Sequence, residues 1–333
     1  MAEQVRWGIL GNANIARKAL VPAIKDAKNA ELTGIASRSG RAKEAKEELG
    51  FRKSYDSYEA LLSDPEIDAV YIPVPNALHA EWTAKAAEAG KHVLCEKPAA
   101  LTAEEAQQMI EACRKADVLF MEAFMYQFHP QHEKVKSIIA SGEIGQVKLM
   151  RSRFAFKLAD LENVRFDRQL GGGSLYDVGC YCIHSSRYIL GAEPIKAYAR
   201  AHIDPKFEVD LTATGVLTFE NGIQALFDCS FETVPGEHYE VIGDKGSIRV
   251  QGPYRPDKNE DGKGRIIILD ANGETREERV SGDSYTLQVE HFSQCVLDGS
   301  EPAYSGEQTL QNMKVIDACY QSIHTGEAVV LKK

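Results

Sequence analysis

The run Val5-Arg6-Trp7-Gly8-Ile9-Leu10-Gly11-Asn12-Ala13-Asn14-Ile15-Ala16 decides the fold. A short apolar strand ends at Gly11, a tight glycine turn follows, and a helical pattern opens directly after it. In that setting a first glycine makes the turn and a small second residue lets backbone N–H groups approach a pyrophosphate. A small third residue packs the helix on the sheet. Ala13 and Ala16 stand where glycine is usual. The stretch therefore reads as a variant dinucleotide turn carried by Gly11, Asn12, Ala13, Asn14 and Ile15.

Working outward, apolar runs at Val5–Leu10, Glu31–Ala36, Ala69–Pro73, His92–Cys95 and Val118–Glu122 alternate with amphipathic stretches. Asn76 is placed to cap a helix that stops at Gly90, and Thr102-Ala103-Glu104-Glu105 reads as a capping box. This alternation predicts βαβ units and a parallel sheet with helices on both faces over residues 1–122. Beyond residue 145 the pattern changes. Three turn signals, Glu220-Asn221-Gly222, Gly243–Gly246 and Ala271-Asn272-Gly273, separate β-rich runs and predict a largely antiparallel sheet. Two helices are expected near Tyr285–Leu297 and Glu307–Thr325. The fold class is thus α/β, with domains at 1–122 and 123–333.

Composition narrows the function. The chain has 333 residues, 44% hydrophobic and 26% charged, enough to bury a core without staples. A net charge of −10 argues against non-specific binding to nucleic acid or to an anionic membrane surface. Seven scattered cysteines with no CxxC pair read as reduced thiols. With no secretory pattern at the start and no apolar run near the ~20 residues of a membrane span, a cytoplasmic protein is expected. His129 and His132 lack partners at metal-ligand spacing, so no metal is expected. Gly-x-Ser-x-Gly and Walker-type loops are absent.

Three further places carry chemistry. The second strand ends in Ser37-Arg38-Ser39, where NAD-specific sites place an acid; two hydroxyls and a guanidinium suit a 2′-phosphate and favour NADP(H) over NAD(H). Lys97, in Cys95-Glu96-Lys97-Pro98, sits at the carboxyl end of a parallel strand, where such sheets bind ligands. In Gly171-Gly172-Gly173-Ser174-Leu175-Tyr176-Asp177-Val178-Gly179-Cys180-Tyr181, a helix beginning near Ser174 puts Asp177 and Tyr181 on one face. Oxidation of a secondary alcohol sends hydride to a nicotinamide and needs an acceptor for the hydroxyl proton. A phenol with a pKa of ~10 does this only beside a cation such as Lys97. His184, three residues on, shares nearly the same face.

On these motifs, together with Ile72-Pro73-Val74-Pro75-Asn76-Ala77-Leu78-His79 and Glu122-Ala123-Phe124-Met125-Tyr126, the chain resembles the glucose–fructose oxidoreductase / inositol dehydrogenase (Gfo/Idh/MocA) family over nearly its whole length. The branch of dimeric dihydrodiol dehydrogenases and NADP-dependent aldose dehydrogenases is the most similar. The resemblance implies a Rossmann domain followed by a domain whose open sheet binds substrate and forms a homodimer, or else a tetramer. It implies that Lys97 bonds the reacting hydroxyl, Asp177 helps hold the substrate and Tyr181 is the acid/base. Histidine holds the position of Tyr181 in inositol dehydrogenase-like members, which points away from inositol. Pro73, Asn76, His79, Glu96 and Lys97 fall where similar proteins line the cofactor, and the Lys97–Pro98 peptide is often cis there. Substrate candidates are Tyr126, Phe154, Arg165 and His184. The expected substrate is a sugar or a cyclic diol, oxidised or reduced at a secondary alcohol, hemiacetal or ketone. The alternative is a non-catalytic NADP-binding sensor of the same fold; a protein cycling a tightly bound cofactor between two sugars is a third reading.

Overall fold

The structure is a computed structural model that describes residues 4–38 and 40–331. The chain groups into two compact units. One holds the residues up to Met125 together with Ser284–Leu310, and the other holds Tyr126–Asp283 together with the chain from Gln311.

In the first unit, β1 (Val5–Leu10), β2 (Ala30–Ala36), β3 (Lys53–Tyr55), β4 (Ala69–Ile72), β5 (His92–Cys95) and β6 (Phe120–Glu122) form one sheet in the order β3-β2-β1-β4-β5-β6. Every neighbouring pair is parallel. This is the doubly wound order, whose ligand crevice lies at the carboxyl ends where the order reverses, between β1 and β4. β4 is buried along its whole length, as a strand covered on both faces must be.

Helix ends follow the local chemistry, with one exception. The Thr102 side chain accepts from the Glu105 amide at 3.1 Å, and Glu105 reaches back to the Leu101 amide at 2.9 Å, one residue earlier than in the usual box. Asn76 does not cap the following helix. It opens a 3₁₀ turn, Asn76–Leu78, that runs straight into the helix His79–Glu88, where no side-chain cap bond is made. Pro75, at φ −55° and ψ 147°, sets the chain direction there instead.

The helix Ser284–Asp298, which is distant in sequence, completes this unit. The Trp7 indole N–H donates to Ser293 Oγ at 3.0 Å, its ring lies 5.7 Å from that of Phe292, and Asn29 donates to the Glu290 carbonyl at 2.9 Å. Trp7 is fully buried.

In the second unit, β7 (Val147–Ala155), β8 (Pro194–Ile203), β9 (Asp210–Phe219), β10 (Gln224–Ser230), β11 (Gly236–Gly243), β12 (Ser247–Gln251), β13 (Gly264–Leu269), β14 (Thr275–Val280) and β15 (Val329–Val330) form a sheet. Its order is β14-β13-β12-β11-β7-β10-β9-β8-β15. The hairpins β9–β10, β11–β12 and β13–β14 turn where the glycines foretold, and β7 with β10 is a parallel pair in an otherwise antiparallel ladder. Met150, Ser152, Phe227, Tyr239 and Val241 point inward and are buried, while Arg151 and Leu226 point outward, the period of two a half-covered sheet requires. The helix Cys180–Leu190, entered through a π-helical turn at Leu175–Gly179, packs on β7 and β10. All seven cysteines are buried and free. Among the described residues no helix is long and apolar enough to cross a membrane.

Candidate active site

At the carboxyl end of β1, Gly11 adopts φ +128°, a conformation that side chains rarely tolerate, and its amide donates to the Ala36 carbonyl at 2.9 Å. The turn then runs through half-buried Asn12, Ala13 and Ile15 and exposed Asn14 into the π-helical turn Ala16–Leu20. Asn12 Oδ1 accepts from the Arg17 guanidinium at 2.9 Å. At the end of β2, Ser37 is buried and Arg38 is exposed, its guanidinium 5.6 Å from the centre of the Tyr58 ring. Ser39 lies outside the described residues.

At the end of β5 the Lys97–Pro98 peptide is cis. Half-buried Glu96 accepts from the Tyr71 hydroxyl at 2.5 Å and from the Lys97 amide at 3.2 Å. Pro73 is buried directly beyond β4, and Asn76 is half-buried in its 3₁₀ turn. His79 is fully buried, with Nδ1 2.9 Å from the Pro98 carbonyl and Nε2 2.9 Å from the Val74 carbonyl. Burial pushes this imidazole down to about 4, and the Lys97 charge adds to the fall, while the two carbonyls oppose it. Both ring nitrogens are thus taken up by backbone.

In the second unit the glycine run holds its backbone against neighbours. A Cβ on Gly172 would lie 2.5 Å from the Arg165 carbonyl oxygen, and one on Gly173, at φ +119°, would lie 2.3 Å from Asp210 Oδ1. Asp210, 2% exposed, accepts from Ser174 Oγ at 2.8 Å, from the Leu175 amide at 2.6 Å and from the Tyr320 hydroxyl at 2.9 Å. The helix so anchored carries Asp177 in its π-helical turn, and such widened turns often occur at functional sites. Asp177 accepts from Arg165 Nε at 2.6 Å, so two candidates form one ion pair.

Tyr181, one turn on, lies in an aromatic wall. Its ring is 5.3 Å from Phe154, 5.2 Å from Tyr254 and 5.7 Å from Tyr126, and Phe154 stacks on Tyr254 at 16°. Tyr126 and His184 are buried behind it and share a hydrogen bond of 2.5 Å between the hydroxyl and Nδ1. Burial, then the nearby Arg187 and His132, holds His184 neutral, well below the ordinary histidine range.

Sequence reasoning passed over Tyr254, Asp210 and Glu237, and gave Glu122, quoted only within a motif, no task of its own. Glu237 carried a readable signal. With Tyr239 and Val241 facing inward, a period of two places its carboxyl on the same inner side, opposite Phe154 of β7. Burial pushes it up to about 7; Lys258, Arg255 and the Arg255 amide pull it down, and Asp257 pushes it further up. A folded-state pKa above the unfolded ~4.3 means that proton uptake favours the fold. That contribution is complete below ~4.3 and is lost as pH rises through about 7. E237Q, neutral at every pH, is expected to melt above the wild type at pH 8 and level with it at pH 4. An equal offset at both pH values in thermal melts refutes this assignment.

Among the described residues no group of three or more His, Cys, Asp or Glu side chains is placed to hold a metal ion. Residues 5–124 match the profile described as "Oxidoreductase family, NAD-binding Rossmann fold", and residues 132–249 match the "GFO/IDH/MocA C-terminal domain". The chain belongs to this oxidoreductase family. Within the family it is 39% identical to the D-xylose 1-dehydrogenase (NADP(+)) 2 of Haloferax volcanii, over 98% of this chain and 99% of that one. Among solved structures it is similar to KijD10, a 3-ketoreductase from Actinomadura kijaniata in complex with NADP and TDP-benzene. That match has 30% identity and a TM-score of 0.91, covering 96% of this chain and 98% of the other. The aldose-aldose oxidoreductase of Caulobacter crescentus, complexed with glycerol, matches at 28% identity with a TM-score of 0.90 over 98% and 100% of the two chains.

Proposed function

We propose that this oxidoreductase moves a hydride between NADP(H) and a secondary alcohol, hemiacetal or ketone of a sugar. The observation that carries the reading is the head of the Cys180–Leu190 helix, where a carboxylate held by Arg165 and a phenol set in an aromatic wall sit within one turn. A sensor that only binds nucleotide has no need of that pair. The relatives named above, a D-xylose 1-dehydrogenase, a 3-ketoreductase and an aldose-aldose oxidoreductase, support the sugar as substrate class. A rigid ring can lie against Phe154 and Tyr254, and Asp177 accepts from sugar hydroxyls as well as from Arg165.

The residues present fit the cofactor. Gly11 gives the backbone the turn it needs, Asn12, Ala13, Asn14 and Ile15 offer a half-exposed edge to the pyrophosphate, and exposed Arg38 with Ser37 receives the 2′-phosphate. Pro73, Asn76 and Glu96 flank the same end of the sheet. The nicotinamide supplies the hydride acceptor or donor. Lys97 donates a hydrogen bond to the reacting oxygen, and Tyr181 carries the hydroxyl proton. Binding of NADPH and NADH by the purified protein, followed by absorbance at 340 nm with aldoses, polyols and diols, tests the whole reading. Preference for NADPH should fall by about 10- to 100-fold in R38A, the loss of one charge-assisted phosphate contact. Tight NADPH binding without turnover in either direction across the panel would favour the sensor.

A homodimer through the outward face of the second sheet belongs to the same proposal. Tyr198, Val216 and Leu226 lie side by side there on β8, β9 and β10. Sedimentation equilibrium giving a monomer would remove that part. The seven free thiols suit a reducing, cytoplasmic setting.

A further inference from the structure

We propose that His79 and Glu122 are positioning residues for Lys97, acting through the backbone of the turn that carries it. The inference rests on the role given to Lys97 above. On the near side of the lysine, Glu96 fixes the Lys97 amide and is itself held by Tyr71 of β4. On the far side two fully buried side chains take over. His79 Nδ1 meets the Pro98 carbonyl at 2.9 Å, and Glu122 Oε1 accepts from the Ala99 amide at 2.9 Å. The turn after β5 is therefore tied to the helix that follows β4 and to the last residue of β6. These three neighbouring strand ends cannot shift against one another without breaking a buried hydrogen bond.

The assignment gives His79 a different task from the one that resemblance implies. With both ring nitrogens on backbone carbonyls, it presents no polar atom to a cofactor. A neutral imidazole has one N–H to give, and the two carbonyls both call for one. The positioning role requires that the proton be on Nδ1 and reach Pro98, one residue beyond Lys97, rather than on Nε2 and Val74.

Two amides separate these states. Asparagine places its amide nitrogen near the position of Nδ1, and glutamine places its own near Nε2. Both H79N and H79Q lose one contact, so a merely structural histidine costs the same in each. On the proposal, H79Q lowers kcat about 10- to 100-fold, the range expected when a reacting group is misplaced by about 1 Å, and H79N recovers kcat to within about threefold of the wild type. The Kd for NADPH stays constant in both. E122Q keeps an acceptor for the Ala99 amide and E122M removes it, so the same split in kcat is expected between them and survives a failure of the His79 variants to fold. Equal losses in H79N and H79Q, the reverse order, or an effect confined to the Kd for NADPH overturns the proposal. K97M is assayed alongside. Full turnover in K97M would sink the catalytic reading itself, whereas loss in K97M without any split between the paired variants sinks this inference alone.

Discussion

Replacing Lys97 by methionine is expected to lower kcat by about 10²- to 10⁴-fold, the usual yield of a positioned proton-handling group. Methionine keeps the length and the apolar stem, so the turn between Glu96 and Ala99 retains its bonds to Tyr71, His79 and Glu122. Y181F should fall in the same range. It removes one oxygen and leaves the ring packed on Phe154, Tyr254 and Tyr126. In both variants kcat and kcat/KM should fall together, the signature of an interaction made in the transition state rather than in the ground state. Melting temperatures near that of the wild type would separate this loss from unfolding. Turnover by either variant within about threefold of the wild type would remove that residue from the chemistry.

The second large effect concerns stability. Asp210 is a buried carboxylate that receives three hydrogen bonds, from Ser174, Leu175 and Tyr320. Truncation to alanine strands all three donors away from water, at about 1–3 kcal/mol for each that finds no new partner. Against a typical stability of ~5–15 kcal/mol, a loss of that size consumes much of the fold. The second unit of D210A should therefore melt about 10 °C or more below the wild type. Because the carboxylate anchors the start of the helix bearing Asp177 and Tyr181, activity at low temperature should fall too. Calorimetry showing D210A within about 2 °C of the wild type would mean that water or a side-chain rearrangement replaces the lost acceptor.

Local signals carried most of the fold. The turn at Gly11, the capping box at Thr102 and the hairpin glycines each act within a few residues, and with the apolar runs they place five of the six parallel strands and the three hairpins; the three-residue β3 carried no legible apolar run. The Asn76 cap failed for an equally local reason, the proline before it. The return of Ser284–Asp298 to the first unit was not legible. An apolar helical stripe says that a face is buried, and it does not say against what; Trp7 meets Ser293 across a separation of 286 residues. At the candidate site, residue types and spacing singled out Lys97, Asp177 and Tyr181. The partners did not follow from spacing, because the Arg165–Asp177 pair and the carbonyls around His79 exist only once loops are placed in space. Glu237 is the instructive omission, an acid at an inward position that alternation alone exposes.

The discontinuous first unit also has a consequence in time. A ribosome releases the chain from its N-terminus, and the six parallel strands are all complete by Glu122. Trp7 then has no Ser293 or Phe292 to cover it until the roughly 160 residues from Tyr126 to Asp283 and the helix beyond them have been made. At ~5–20 residues per second that is a wait on the order of ten to thirty seconds. Through that interval the nascent sheet carries an uncovered indole and apolar neighbours, a surface suited to chaperone capture. Most of the second unit interrupts the first and so delays its closure, and the second in its turn is completed only by the chain from Gln311.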